Sequence, residues 1–259
     1  MQSSVFAKWA RGHQFESHVV LPGIISLLLM AMYFSGSAYL QNIVAPSIEG
    51  VPLFSSREFG ALEILQNFFL LCIVFYSVRC FSAATGAWIK LVALLLVFIS
   101  AFTFLEEIDY GAHFVEYFTG EYGSLDQETW NRNWHNKTGA DGVQNVSYLK
   151  LATNIAMLAG FVLAPLLLSS VKNRTIQLLV PSKWMILTVI LIVLLSLLAH
   201  TLDDAGYSFI GDRPGNLHKN ISEFRELNMY YLFLLYVVVL HERLVIRRNS
   251  PGSRFADVD

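Results

Sequence analysis

One segment of the chain carries acidic side chains and a histidine at helical spacing. Four residues of FLEEIDYGAHFVE stand at i, i+3, i+4 and i+7: Glu106, Asp109, Tyr110 and His113. Residues at these intervals share one face of an α-helix within about two turns. Oxygen and imidazole ligands without a thiolate suit zinc, iron or manganese better than copper(I). The segment therefore predicts a divalent-metal site or an acid–base pair, although a solvated helix end is the alternative.

Other segments carry similar groups at comparable depth. In REFGALEILQN, Glu63 lies about one turn inside a predicted membrane span. His200 in HTLDD is either a metal ligand oriented by Asp203 or half of an ordinary interfacial pair with it. His135 in NWHNKTG either reaches the site from a loop or lies at the surface. An ionisable group within the hydrocarbon costs several kcal/mol, so these groups are expected to share a cavity.

The elements that must position them are long apolar runs. The chain is 54% hydrophobic and 15% charged, which is typical of a membrane protein. Each run has about 18 to 22 residues, enough at 1.5 Å per residue to cross roughly 30 Å of hydrocarbon. Because backbone amides must be satisfied internally there, the sequence predicts an all-α, polytopic transmembrane helix bundle. The six predicted spans are Val19–Leu40, Ala61–Val78, Ala87–Leu105, Leu149–Ser170, Trp184–Leu202 and Leu227–Ile246.

The distribution of charge predicts the orientation. With the amino terminus in the cytoplasm, eleven of the eighteen Lys and Arg residues lie inside, whereas only four of the twenty acids do: Glu16, Glu242, Asp257 and Asp259. This asymmetry predicts that both termini are cytoplasmic. Because His241, Glu242 and Arg243 lie near the end of the sixth span, they are expected to reach the headgroups. No basic stripe suggests nucleic acid as a partner.

The chain is predicted to form a single transmembrane domain over residues 1–250, followed by a mobile tail at 251–259. An outer cap loop is predicted at 106–148, with residues 106–117 continuing the third span as a helix. Long loops in compact proteins are usually functional or disordered, and the aromatic residues of this loop favour order.

Three segments together resemble a pattern found in uncharacterised bacterial inner-membrane proteins, which reads RExxxxE, LEEISWGQ and NLHN. In this chain the segments are REFGALE, FLEEIDYGAHF and NRNWHN. The resemblance implies that His135 and the glutamates belong to one site. A more distant similarity is to ceramidase-like intramembrane metal hydrolases, although the chain lacks their HxxxH pair. The matching residues are Glu58, Glu63, Glu106, Glu107, Gly111, His135 and Asn136.

Three functions remain open at this point. The first is an inner-membrane enzyme acting on a lipid-like substrate, with Glu106, Asp109 and Glu63 as catalytic groups. A divalent metal would be held by the ligand set His113, His135, His200, Glu106 and Glu63. The second is a non-catalytic subunit or assembly factor that docks a periplasmic or membrane partner. The third, an ion pathway, is the least supported, because the cytoplasmic halves of the spans carry few ionisable groups.

Overall fold

The computed structural model describes Trp9 and residues 12–48, 56–120, 145–218 and 220–249. The structure is mostly helical, as the all-α prediction requires. The helices are α1 (Glu16–Tyr33, beginning as the π-helical turn Glu16–Val20), α2 (Ala38–Val44), α3 (Ala61–Ala83), α4 (Ala87–Glu107), α5 (Ala112–Thr119), α6 (Asn145–Met157), α7 (Ala164–Leu167), α8 (Arg174–Leu179), α9 (Met185–Asp204) and α10 (Glu223–Asn249). A two-residue hairpin pairs β1 (Phe209–Ile210) with β2 (Arg213–Pro214). The predicted tail at 251–259 lies outside the described residues.

Five helices are long and apolar enough to cross a membrane: α1, α3, α4, α9 and α10. They correspond to five of the six predicted spans. The first span ends earlier than predicted, because Gly36 adopts a φ of 72° and turns the chain before α2.

The fourth predicted span is an interrupted helix. Between α6 and α7 the chain forms a π-helical segment, Leu158–Leu163. Pro165 follows at the start of α7 and has no N–H to donate to the preceding turn, so a wider helical segment accommodates it. The apolar part, Leu151–Leu167, falls among the shorter apolar helices.

Helix α10 occupies the centre of the bundle. It packs most extensively against α3, and also against α9 and α1. Of the most apolar 18-residue stretch of each helix, 72% is buried within the protein in α10, compared with 17% in α4. Helix α4 therefore lies at the periphery, where side chains such as Phe98 and Ile99 are exposed.

The two ends of the bundle differ in charge. The acidic end holds the beginnings of α3 and α10 and the end of α4, where Gln66 contacts Glu223 and Tyr230 contacts Glu107. The basic end holds the end of α10, over which α8 lies, because Arg243 donates to backbone carbonyls at the end of α8. A separate small apolar core, including Cys80, Leu178 and Leu244, closes this basic end.

Candidate functional site

The acidic end contains a set of polar side chains from three helices, which we call the carboxylate cluster. Arg57 and Glu58 precede α3, the first turns of α3 contribute Glu63 and Gln66, and α4 and α10 supply the rest. Polar residues from distant parts of the chain therefore meet at one end of the bundle. The members of the cluster are Arg57, Glu58, Glu63, Gln66, Glu107, Glu223, Glu226 and Tyr230.

Arg57 is the cation of this cluster. Its Nε atom lies 3.5 Å from Oε1 of Glu58, and its Nη2 atom lies 3.8 Å from Oε1 of Glu223. Burial alone lowers the pKa of Arg57, but the surrounding carboxylates Glu223, Glu63 and Glu58 outweigh this, so the net pKa lies above its ordinary value. The guanidinium therefore remains charged and offsets part of the negative charge.

Gln66 connects α3 to α10 inside the cluster. Its side chain is fully buried, and its amide donates to the backbone oxygen of Glu223 at 3.0 Å and to Oε2 of that residue at 3.3 Å. Its carbonyl oxygen, Oε1, has no hydrogen-bond partner among the described residues. A buried acceptor without a donor is costly, so this oxygen is available to a ligand or water.

Glu63 is the least exposed carboxylate of the cluster, and it makes no hydrogen bond within the described ranges. It is 4% exposed and interacts electrostatically with Glu58, Glu223 and Glu107 as well as with Arg57. Within the part of the chain that the structure describes, it has neither a hydrogen bond nor an ion pair. A buried carboxyl group with free oxygens can exchange a proton or bind a cation.

Two tyrosines donate hydrogen bonds to the glutamates at the end of α4. The hydroxyl of Tyr230 donates to Oε1 of Glu107 at 2.6 Å, and that of Tyr110 donates to Oε1 of the buried Glu106. The hydrogen bond to Glu106 raises the pKa of Tyr110 above its usual range. Glu107 thus faces the carboxylate cluster, and Glu106 accepts a hydrogen bond from a residue of its own segment.

The prediction that residues 106–117 form one continuous helix is wrong. Helix α4 ends at Glu107, and a 3-10 turn spans Asp109–Gly111 before α5 begins. Tyr110 and Gly111 adopt φ values of 53° and 85°, and these left-handed conformations break the α-helical repeat. The i to i+7 spacing therefore does not place Glu106 and His113 on one helical face.

The other predicted ligands do not join Glu63 within the described residues. His200 is exposed near the end of α9. Asp203 contacts His218, with Nδ1 and Oδ1 3.3 Å apart, rather than His200. His135 lies outside the described residues, as do the side chains of Asp109 and His113. Across the ranges that the structure describes, no three His, Cys, Asp or Glu side chains are grouped so as to hold a metal ion.

Sequence reasoning missed a second buried polar cluster, at the basic end. His241, Glu242 and Arg243 are all buried within the protein. Arg243 donates to the backbone oxygens of Leu178 and Val180. The ring of Tyr76 meets that of His241 edge-on at 5.8 Å. The sequence signal for this cluster was the presence of three adjacent ionisable residues within an apolar run.

This second cluster changes one reason for ranking an ion pathway last. That reason was that the cytoplasmic halves of the spans carry few ionisable groups. The basic end of α10 is not free of them. However, residues 231–240 of α10 separate the two clusters and include no charged residue. A lack of continuity between the two ends remains the reason for placing this function last.

Comparisons with known proteins add no assignment. No protein-family model matches the chain, and neither a curated protein nor a solved structure does. The resemblance to bacterial inner-membrane proteins therefore remains a prediction based on its three motifs.

Proposed function

We propose that the chain is a multi-pass protein of the bacterial inner membrane with six spans and both termini in the cytoplasm. Five long apolar helices support membrane insertion. The remaining span, the fourth along the chain, would be formed by α6, the π-helical segment and α7, which follow one another directly from residue 145 to residue 167. The segregation of acids from Lys and Arg supports an orientation with the acidic end facing the periplasm.

We further propose that the carboxylate cluster is the site of an enzyme acting on a lipid-like substrate. The observation that carries this proposal is the placement of Glu63, which is buried among three other carboxylates without a hydrogen-bond partner in the described structure. Glu63 would serve as the general acid or base. Arg57 and Gln66 would orient the polar part of the substrate, since they supply a charged donor and a free acceptor.

A metal-dependent form of this proposal adds zinc, iron or manganese. The donors would be Glu63, Glu106, His113, His135 and His200, with Asp109 beside them. The described side chains alone do not assemble such a set, so this form depends on the residues outside them. A bound divalent ion would supply a water of lowered pKa as the nucleophile.

The test uses purified protein in vesicles made from a bacterial lipid extract, with the lipids followed by mass spectrometry. We expect one lipid class to be consumed by the wild type and by Glu16→Gln, an isosteric control at an exposed position of the basic end. Glu63→Gln should lose the activity while keeping its unfolding temperature within a few degrees. Unchanged lipids with the wild type would refute the enzymatic proposal.

Metal analysis tests the metal-dependent form separately. Near-stoichiometric metal in the wild type, lost in Glu106→Gln or His200→Ala, is the expected result. Protein that binds no metal after reconstitution would refute this form alone.

A non-catalytic subunit is the second candidate, and a specific observation favours it. Carboxylates at the acidic end pair with Arg57 and accept hydrogen bonds from Gln66 and Tyr230, and these contacts join α3 to α10 and α10 to α4. Contacts of this kind fix the packing of membrane helices. The cap loop would then dock a periplasmic or membrane partner. Purification in mild detergent that recovers only the monomer would count against this function.

A further inference from the structure

The basic end of the bundle contains a cleft of about 400 Å³ between the beginning of α4 and the segment that leads into α8. It lies at the opposite end from the carboxylate cluster and has no part in the function proposed above. Its lining residues are Thr85, Gly86, Ala87, Trp88, Ile89, Asn173, Thr175 and Arg247. Arg247 is the one charged residue among them.

Arg247 lines this cleft and has an unsatisfied donor. Its Nη1 atom is buried and has no hydrogen-bond partner among the described residues. A guanidinium nitrogen removed from water needs an acceptor, and an anionic oxygen is the strongest one. The hydroxyls of Thr85 and Thr175 make no hydrogen bond within the described structure, so they can donate to the same ligand.

The surroundings of the cleft favour an anion. Lys90, Lys172, Arg174 and Arg248 are all exposed at this end of the bundle. In addition, Gly86 precedes the first turn of α4 and supplies no side-chain cap, which leaves the first N–H groups of the helix unsatisfied beside the cleft. Together these features produce a positive potential that attracts phosphate.

The position of the cleft favours a lipid over a free phosphate ion. Trp88, which lines it, is 76% exposed, and exposed tryptophans concentrate at the level of the lipid headgroups. Directly after it, α4 exposes the apolar side chains Leu91 and Leu95. A headgroup in the cleft would therefore have its acyl chains beside an apolar helix face.

We propose that this cleft binds the phosphate group of an anionic phospholipid, with Arg247 as its principal ligand and Thr85 and Thr175 as additional donors. The proposal rests on membrane insertion but not on the activity of the carboxylate cluster. Loss of lipid binding here and loss of activity at Glu63 are therefore separate results.

The experiment measures retention of lipids by native mass spectrometry of the protein released from mixed micelles. The probes are phosphatidylglycerol and phosphatidylcholine, each with and without excess inorganic phosphate. The wild type should retain phosphatidylglycerol in preference to phosphatidylcholine. Arg247→Gln should weaken retention of phosphatidylglycerol at least about tenfold, because a charge-assisted hydrogen bond is lost.

Arg248→Gln is the matched control, since Arg248 is the exposed neighbour of Arg247 and does not line the cleft. It should leave retention nearly unchanged. Thr85→Asp provides a second variant in case Arg247→Gln fails to fold: a carboxylate at this exposed loop position should repel the lipid phosphate.

Three results would overturn the proposal. The first is equal retention of the two lipids by the wild type, and the second is equal weakening by Arg247→Gln and Arg248→Gln. The third is complete displacement of phosphatidylglycerol by inorganic phosphate, which would identify a free anion as the ligand.

Discussion

Replacing Arg57 by methionine should destabilise the acidic end of the bundle. The side chain of Arg57 is only 18% exposed, and it pairs with Glu58 and Glu223. Removing one partner of a largely buried ion pair typically costs about 3 to 5 kcal/mol, because the other charge stays buried without compensation. Partial exposure places this site near the lower limit, so we expect a loss of about 3 kcal/mol.

The assay is thermal unfolding of purified protein in detergent. For a chain of this size, 1 kcal/mol corresponds to roughly 2 to 4 °C, so the unfolding temperature should fall by about 10 °C at neutral pH. Acidification should narrow the difference, because protonated carboxyl groups no longer repel one another when Arg57 is absent. The difference in unfolding temperature between the wild type and Arg57→Met is therefore greatest at neutral pH and decreases as the pH falls.

A double variant shows whether the cost arises from the unpaired carboxylates. Combining Arg57→Met with Glu223→Gln should restore part of the lost stability. The second substitution removes one of the carboxylates that repel one another when Arg57 is absent. Arg57→Lys, which keeps the charge, should lie between the wild type and Arg57→Met. An unfolding temperature unchanged by Arg57→Met, or losses that simply add in the double variant, would refute this account of the cluster.

Three further substitutions test the packing. Gly60→Ala should cost about 3 kcal/mol or more, because the new Cβ would lie 2.1 Å from the backbone oxygen of Val44; the unfolding temperature measures it. Tyr230→Phe should cost roughly 2 kcal/mol in the same assay, because a hydroxyl bonded to a carboxylate at the end of α4 is lost. Arg243→Met should release α8 from α10 and make the buried thiol of Cys80 reactive toward maleimide, which labelling kinetics would detect.

The first two of these substitutions have matched controls, and the third has a result that would contradict it. Gly160→Ala should be tolerated, since its new Cβ would meet nothing within 4 Å. Tyr39→Phe, at an exposed position, should leave the unfolding temperature unchanged. Labelling of Cys80 at the wild-type rate in Arg243→Met would contradict the role given to Arg243.

The sequence predicts the long helices well because apolar length is a local property. The spans predicted at 61–78, 87–105 and 184–202 each lie within about five residues of the observed helix bounds. The break after Glu107 could not be predicted in this way, because it depends on the backbone conformations of Tyr110 and Gly111 rather than on composition. The interruption before Pro165 has a local cause, the proline itself, yet the extent of the π-helical segment depends on tertiary packing.

The candidate site was only partly accessible to sequence reasoning. Glu63 was predicted to lie about one turn inside a span, and it is buried. The partner of Asp203 was not predicted correctly, because His218 reaches it only after the chain has turned through the hairpin. Spacing along one helix identifies neighbours on that helix, whereas contacts made by a returning loop depend on the whole fold.

The central position of α10 has a consequence for biogenesis. Helices α1, α3, α4 and α9 precede it in the chain, so each emerges from the ribosome before the helix against which the bundle packs. Until α10 inserts, Gln66 and Arg57 lack their partner Glu223, and α3 lacks the helix against which it packs most extensively. Consolidation of the bundle therefore follows insertion of its individual helices and waits for α10 to be synthesised.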